Sequence, residues 1–164
     1  MMNSKLKIKD ITAISVCSVL LVIAQVAMRF LPNIEVVSLF ILLFTKHFKK
    51  KTLYIIYIFV LVEGLIYGFG MWWITYTYVW TILYFICLFV RDVESPFALS
   101  IVLAIYGLLF GAFSSIAYFV TLGVGGGISW IISGFMFDLM HCIGNFATTL
   151  ILYKPLNNIM KRII

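Results

Sequence analysis

The chain has 164 residues, of which 64% are hydrophobic, and its mean hydropathy is +1.15. Soluble domains have an apolar share nearer about 45–50%, so the composition excludes a soluble domain and predicts one integral membrane domain over residues 1–164. The formal net charge is +6, but the basic residues lie in short segments between apolar runs, a pattern that orients membrane proteins and does not favour nucleic-acid binding.

The first apolar run covers residues 11–31 and is long enough for a membrane helix, with Asp10 able to cap its N-terminus. Basic residues precede the run, as they do in a signal peptide, but the run is too long for one and no small-residue cleavage site follows. We therefore expect a retained helix. Pro32 should end this helix, because proline cannot continue the helical hydrogen-bond pattern.

The second apolar run, residues 34–45, has only about 12 residues, whereas a straight span needs about 20. We expect it either to be lengthened by its flanking residues or to be partly buried in protein, with the Pro32-Asn33 connection dipping into the membrane. After a basic cluster, the sequence predicts a third helix over residues 52–69 and a fourth over residues 74–90. A turn of glycines and aromatic residues separates the third helix from the fourth.

Ser95 and Pro96 predict the start of a fifth helix, with serine as the cap and proline in the first turn, where its missing N–H is not needed. This helix continues up to a glycine-rich stretch at 123–127, which leads into a sixth helix over 128–153. We expect Pro155 to close the sixth helix. The sequence thus predicts an all-α membrane protein with six transmembrane helices.

The distribution of charge predicts the orientation of the six helices. If the N-terminus is cytoplasmic, every lysine and arginine except Arg29 falls on the cytoplasmic side. Both termini are then cytoplasmic, and the protein is expected in the cytoplasmic membrane of a prokaryote as a multi-pass protein.

Polar residues within the predicted helices are the first indication of a site. Asp138, His141 and Asn145 share one face of the sixth helix. A polar side chain inside the membrane is costly unless it faces protein or a watery cavity, so it is a candidate for function. The embedded polar residues that we expect around a pocket open to the outside are Gln25, Arg29, Asn33, Glu35, Glu63, Asp138 and His141.

Hydrogen bonding between helices is the alternative role for these residues. We favour that role for His141 and Asn145, and we favour the pocket floor for Asp138, which lies level with Glu63. Asp138 and His141 could also be two metal ligands, but no other histidine or cysteine is placed to complete a set, so we expect no metal site. No nucleophile has a catalytic motif around it either.

Aromatic residues give a second indication. Trp73, Tyr76, Trp80 and Tyr84 follow one face of the fourth helix. Tyr76 and Trp80 lie too deep for an interfacial belt and are either bundle core or a stacking wall for a flat, partly polar ligand. Trp130 lies at the outer end of the sixth helix, beside the glycines, and we include it in the site.

Small residues four positions apart predict close contacts between helices. Ala13 and Cys17 form such a pair in the first helix, and Gly107 and Gly111 form one in the fifth.

Taken together, these features resemble the substrate-binding S components of energy-coupling factor (ECF) vitamin transporters. The resemblance covers the length, the six helices with both ends inside and two local patterns. The patterns are Leu31-Pro32-Asn33 and Gly134-Phe-Met-Phe-Asp138-x-x-His141-x-x-x-Asn145, followed by Tyr153-Lys154-Pro155-Leu156.

The resemblance implies a binder for a vitamin or related micronutrient that has no ATPase of its own and needs no cofactor. It would dock on a transmembrane coupling subunit that carries two ATP-binding subunits. In the family an alanine pair in the first helix contacts the coupling subunit; here Ala13 matches and Cys17 replaces the second alanine. Pyridoxine-like, pantothenate-like and cobalamin-like or cobalamin-precursor ligands all stay open.

Two other functions compete with transport. The first is a structural or assembly membrane protein without a small-molecule ligand, in which the polar residues only hold the bundle together. The second is a small intramembrane enzyme.

Overall fold

In a computed structural model, residues 6–31 and 34–163 are described, and within those ranges all regular structure is helical. A single 3₁₀ turn, Lys49–Lys51, joins the second helix to the third. The helices in chain order are α1 (Ile8–Met28), α2 (Val37–Phe48), α3 (Thr52–Tyr67), α4 (Met71–Phe89), α5 (Pro96–Leu108) and α6 (Phe110–Ile163). The predicted Pro32-Asn33 connection lies outside the described residues.

Helix α1 begins earlier than predicted, at Ile8, and Asp10 lies in its first turn. The Asp10 carboxylate accepts the backbone N–H of Lys7 at 3.1 Å and pairs with Lys51 at 2.6 Å. Asp10 therefore still satisfies the helix start, as a carboxylate near a helix N-terminus should.

Helix α2 is the centre of the bundle. It has 12 residues, and the stretch from Val37 to Thr45 is buried except for Phe40. It packs against α1, α3, α4 and α6. A helix that is apolar all round needs such an enclosure, and the prediction that this short helix is buried in protein is confirmed.

Helix α6 reverses direction at Gly123. The part of α6 after Gly123 therefore runs antiparallel to α5 and to the part of α6 before Gly123, and together they form a hairpin. Asn145 donates a hydrogen bond to the carbonyl of Leu103 at 3.2 Å. Farther along, the rings of Tyr118 and Trp130 stack with their centroids 3.9 Å apart. These contacts pair residues that lie at similar distances before and after Gly123. Gly123 therefore divides α6 into a first arm (110–122) and a second arm (124–163).

Gly123 makes this reversal possible, since it has a φ of 71° and a ψ of −172°. Side chains other than glycine rarely adopt that backbone conformation. The predicted glycine-rich link between two helices is confirmed, although only Gly123 leaves the helical geometry.

Two predicted helix limits differ most from the structure, and both are wrong. Helix α5 ends at Leu108, and a break at Leu109 separates it from the first arm of α6. Pro155 does not close the last helix, which continues to Ile163. Proline inside a helix removes one backbone hydrogen bond, so other contacts must hold the continuation in place.

Glu94, in the loop between α4 and α5, supplies those contacts. Its carboxylate accepts hydrogen bonds from Tyr153 at 3.4 Å and Asn157 at 3.3 Å, and it pairs with Lys46 and Lys161, each at 3.5 Å. Burial raises the pKa of the Glu94 carboxyl, but the attraction of Lys46 and Lys161 outweighs it and holds that pKa below its usual value. The residues on both sides of Pro155 are therefore tied to the loop.

Three stretches of the described residues are long and apolar enough to cross a membrane. They are Ile8–Met28, Met71–Phe89 and Pro96–Ile163. The third is 68 residues long and contains the reversal at Gly123.

The predicted close contact at Gly107 and Gly111 is confirmed, and the partner is the second arm of α6. A Cβ atom on Gly107 would lie 2.9 Å from the backbone C and O atoms of His141. A Cβ atom on Gly111 would overlap the Asp138 carboxylate. The two backbones approach this closely only because neither glycine has a side chain.

We expect Gly107→Ala to lower the free energy of unfolding by about 1–3 kcal/mol, because its methyl group would push against backbone that cannot rotate away. Gly134→Ala is the matched control: it lies on the second arm of α6, and its Cβ atom would meet nothing within 4 Å. Alanine favours helix over glycine, so this control should keep or raise stability. Thermal unfolding in detergent compares the two; an equal effect of both would contradict the close contact.

Candidate ligand-binding site

A central cavity of about 260 Å³ lies where the end of α1, the start of α2, the middle of α4 and both arms of α6 meet. It is lined by Gln25, Met28, Arg29, Leu31, Ile34, Glu35, Tyr76, Trp80, Phe110 and His141. A side cavity of about 210 Å³ adjoins it and is lined by Gln25, Arg29, Glu63, Tyr67, Trp72 and Tyr76.

Gln25 and Tyr76 form the boundary between the two cavities. Each residue lines both cavities, and the Gln25 amide donates to the Tyr76 hydroxyl at 3.4 Å. A bond of this length is weak. Arg29 also lines both cavities.

Glu35 and His141 meet at the wall of the central cavity. Glu35 Oε1 lies 3.0 Å from His141 Nε2. The other oxygen of Glu35 accepts the backbone N–H of Ser38 at 2.8 Å, in the first turn of α2. One buried carboxylate thus satisfies the start of α2 and holds the imidazole.

Small residues bring His141 to this position. Gly107 allows the second arm of α6 to lie against α5 at His141. One turn farther, a Cβ atom on Gly144 would lie 3.3 Å from Cα of Ile34. The second arm of α6 therefore lies directly against the residue that precedes Glu35.

Aromatic rings form a continuous wall along the two cavities. The ring centroids of Trp72 and Tyr76 are 5.3 Å apart, and so are those of Tyr76 and Trp80, both pairs edge to face. Trp80 contacts Phe110 at 5.7 Å, and Phe110 contacts His141 at 4.9 Å. Edge-to-face packing fixes the rings relative to one another, so this wall is formed before any ligand enters.

Several buried polar atoms on these walls lack a hydrogen-bond partner within the described part of the chain. They are Nε1 of Trp80, Nδ1 of His141 and Oε1 of Glu63. Their residues are only 2%, 3% and 2% exposed, respectively. Leaving such a group unpaired costs about 1–3 kcal/mol, so a polar ligand that pairs with these atoms would recover that cost.

Seven of the ten residues predicted for the site line a cavity. They are Gln25, Arg29, Glu35, Glu63, Tyr76, Trp80 and His141. Asn33 lies outside the described residues. Trp130 stacks on Tyr118 instead of facing either cavity.

Asp138, the tenth predicted residue, faces the contact between the two arms of α6. Its Oδ1 accepts the backbone N–H of Gly111 at 3.0 Å. The break at Leu109 makes Gly111 part of a new helix start, where backbone N–H groups have no partner in their own helix. Asp138 satisfies one of these groups, whereas His141, for which we favoured a structural role, lines the central cavity.

Trp72 and Phe110 are cavity residues that the sequence analysis did not select. Trp72 precedes Tyr76 and Trp80 by four and eight positions and could have been found from that spacing. Trp73 instead packs on Phe69 and donates to the carbonyl of Val60 at 2.9 Å. Phe110 follows the break in the fifth helix, which the apolar sequence around it does not indicate.

Cys17, predicted at a subunit interface, is 6% exposed and lies inside the bundle beside Ser18, which bonds to the carbonyl of Ile55 on α3. Ala13 is partly exposed. Of this pair, Ala13 is the residue that reaches the surface in this conformation.

Asp138→Ala should lower the free energy of unfolding by about 1–3 kcal/mol, because the buried N–H of Gly111 loses its acceptor. Asp138→Asn keeps a carbonyl oxygen in that place and should lose less. Thermal unfolding of both variants in detergent measures the difference. If the two variants lost equal stability, the hydrogen bond to Gly111 would not be what Asp138 contributes.

No protein family, curated protein or solved structure matches this chain. Its function must therefore be argued from the two cavities and the residues that line them.

Proposed function

We propose that this protein is the substrate-binding S component of an ECF-type transporter in a prokaryotic cytoplasmic membrane. It binds a vitamin or related micronutrient from outside and delivers it inward together with a coupling subunit and two ATP-binding subunits. The observation that carries the proposal is the central cavity, in which buried polar atoms of Trp80 and His141 lack partners in the described ranges.

Six membrane crossings are compatible with the helices. Helices α1 and α4 have the length and apolarity for one crossing each, and the reversal at Gly123 lets Pro96–Ile163 cross twice. Helices α2 and α3 are shorter, with 12 and 16 residues, and are apolar. Enclosure by the other helices accounts for α2, because a buried helix need not match the bilayer thickness.

Charge supports an orientation with both termini in the cytoplasm. The network of Lys46, Glu94 and Lys161 gathers the α2 end, the α4–α5 loop and the chain terminus on one side. Arg29 lies at the C-terminal end of α1, where it lines both cavities. This arrangement follows the positive-inside rule and leaves Arg29 as a cation beside an outward-facing site.

The walls suit a small ligand with a flat apolar part and polar groups. The partly exposed Phe110 offers a ring surface, Trp80 lines the same cavity, Arg29 can pair with an anionic group, and His141 has a ring nitrogen without a partner among the described residues. A volume of about 260 Å³ lies just below the usual range of about 300–1,000 Å³ for ligand pockets. In this conformation the smaller candidates, pyridoxine-like and pantothenate-like molecules, are favoured over cobalamin-like ones.

The alternative is a structural or assembly protein without a ligand. Asp138 and Asn145 favour it, because both hold the α5–α6 hairpin together through bonds to backbone atoms. That role does not account for Trp80, whose indole N–H is buried beside a cavity without an acceptor in the described segments. We therefore prefer ligand binding.

Mass spectrometry of the purified protein should reveal a bound small organic molecule, and its titration into the emptied protein should change tryptophan fluorescence. Trp80→Ala should weaken binding by about 1–3 kcal/mol, because it removes a stacking surface and a hydrogen-bond donor. Trp80→Phe keeps the ring and should lose less.

Trp73→Phe is the matched control, since Trp73 is a tryptophan of the same helix that packs on Phe69 away from both cavities. It should bind ligand as the unchanged protein does. A vitamin panel that gave neither a fluorescence change nor thermal stabilisation, with no co-purifying molecule, would favour the assembly protein.

A further inference from the structure

The side cavity has the composition of a site for an organic cation. Three aromatic residues, Tyr67, Trp72 and Tyr76, line it together with the carboxylate of Glu63. The faces of aromatic rings attract cations, and an ionised carboxylate beside them strengthens that attraction. Ammonium groups are recognised by this combination of groups.

Glu63 is the strongest part of this argument. It is 2% exposed, and its Oε1 has no hydrogen-bond partner in the described segments. A buried carboxylate without a partner is costly, and the cost is largest within a membrane helix. Because Glu63 lines the side cavity, an ammonium group there would supply the opposite charge.

Arg29 lines the same cavity as Glu63, but the two side chains form no ion pair with each other. Two opposite charges therefore face one space without neutralising each other directly. Glu35, the other acidic group nearby, is already paired with His141 and with the N–H of Ser38. The free charges that a ligand meets are thus Arg29 and Glu63.

We propose that the ligand is a small zwitterion, with an ammonium group held by Glu63, Trp72 and Tyr76 and an anionic group, such as a carboxylate, held by Arg29. This inference rests on the proposed binding function and names the chemical class of its ligand. Gln25 lines both cavities and Trp80 lines the central one. The rest of the molecule would therefore extend past Gln25 towards Trp80.

The probes are the ω-amino acids glycine, β-alanine and 4-aminobutyrate, together with their N-trimethyl derivatives. For each length, the alkylammonium ion and the carboxylate alone are the single-charge controls. Affinity is measured by tryptophan fluorescence and thermal stabilisation of the full chain in lipid nanodiscs. At least one zwitterion should bind at least about tenfold more tightly than both single-charge controls of its length.

Glu63→Gln and Arg29→Gln separate the two charges. Glu63→Gln should weaken zwitterion binding by about tenfold or more and leave carboxylate binding within about twofold. Arg29→Gln should weaken binding of the zwitterion and the carboxylate alike. Glu94→Gln, which changes a carboxylate at the opposite end of the bundle, is the control and should leave all affinities as they are.

Two kinds of result overturn the proposal. If single-charge carboxylates bind as tightly as zwitterions, or if Glu63→Gln leaves zwitterion affinity unchanged, the ammonium site does not exist. A co-purifying neutral or purely anionic molecule that is lost with Trp80→Ala but not with Glu63→Gln would also overturn it, while the binding function stands. Failure of every probe, with no co-purifying molecule, overturns both.

Discussion

The close approach of α5 and the first arm of α6 to the second arm of α6 determines most of the remaining structure. Gly107 and Gly111 have no side chains, so the backbone at His141 and the carboxylate of Asp138 lie directly against them. This packing joins consecutive segments of the chain, because Gly123 folds the chain back on itself. Without it, neither Phe110 nor His141 would reach the central cavity.

Glu35 extends this arrangement to the first half of the chain. Its carboxylate satisfies the first turn of α2 through Ser38 and contacts His141 on α6. Helix α2 is buried at the centre, so fixing its start also fixes the walls around it. A single acidic residue thus links the bundle core to the candidate site, and a change at Glu35 would disturb both together.

The sequence predicts most helices because their causes are local. Ser95 accepts the N–H of Ala98 and Pro96 occupies the first turn of α5, as the sequence indicates. Pro155 misleads, since contacts of Tyr153 and Asn157 with Glu94, distant in sequence, support the helix beyond it. Likewise, Asp138 is predicted in the pocket, but it bonds to Gly111 just after the break at Leu109. No glycine or proline at Leu109 marks that break in the sequence. Spacing alone places a side chain on a face but does not say which neighbour that face meets.

Position relative to the two cavities separates the polar residues of this bundle into two groups. Asp138 and Asn145 bond to backbone atoms of α6 and α5, and such bonds hold helices together in a membrane. Glu63 and Trp80 are equally buried, yet each has a polar atom without a partner in the described ranges, and each lines a cavity. Unpaired polar atoms also occur on residues that line neither cavity, namely Ser38, Thr52, Ser114, Asn145 and Thr149. Those of Glu63, Trp80 and His141 differ because their residues line a cavity, and there a ligand can supply a missing partner.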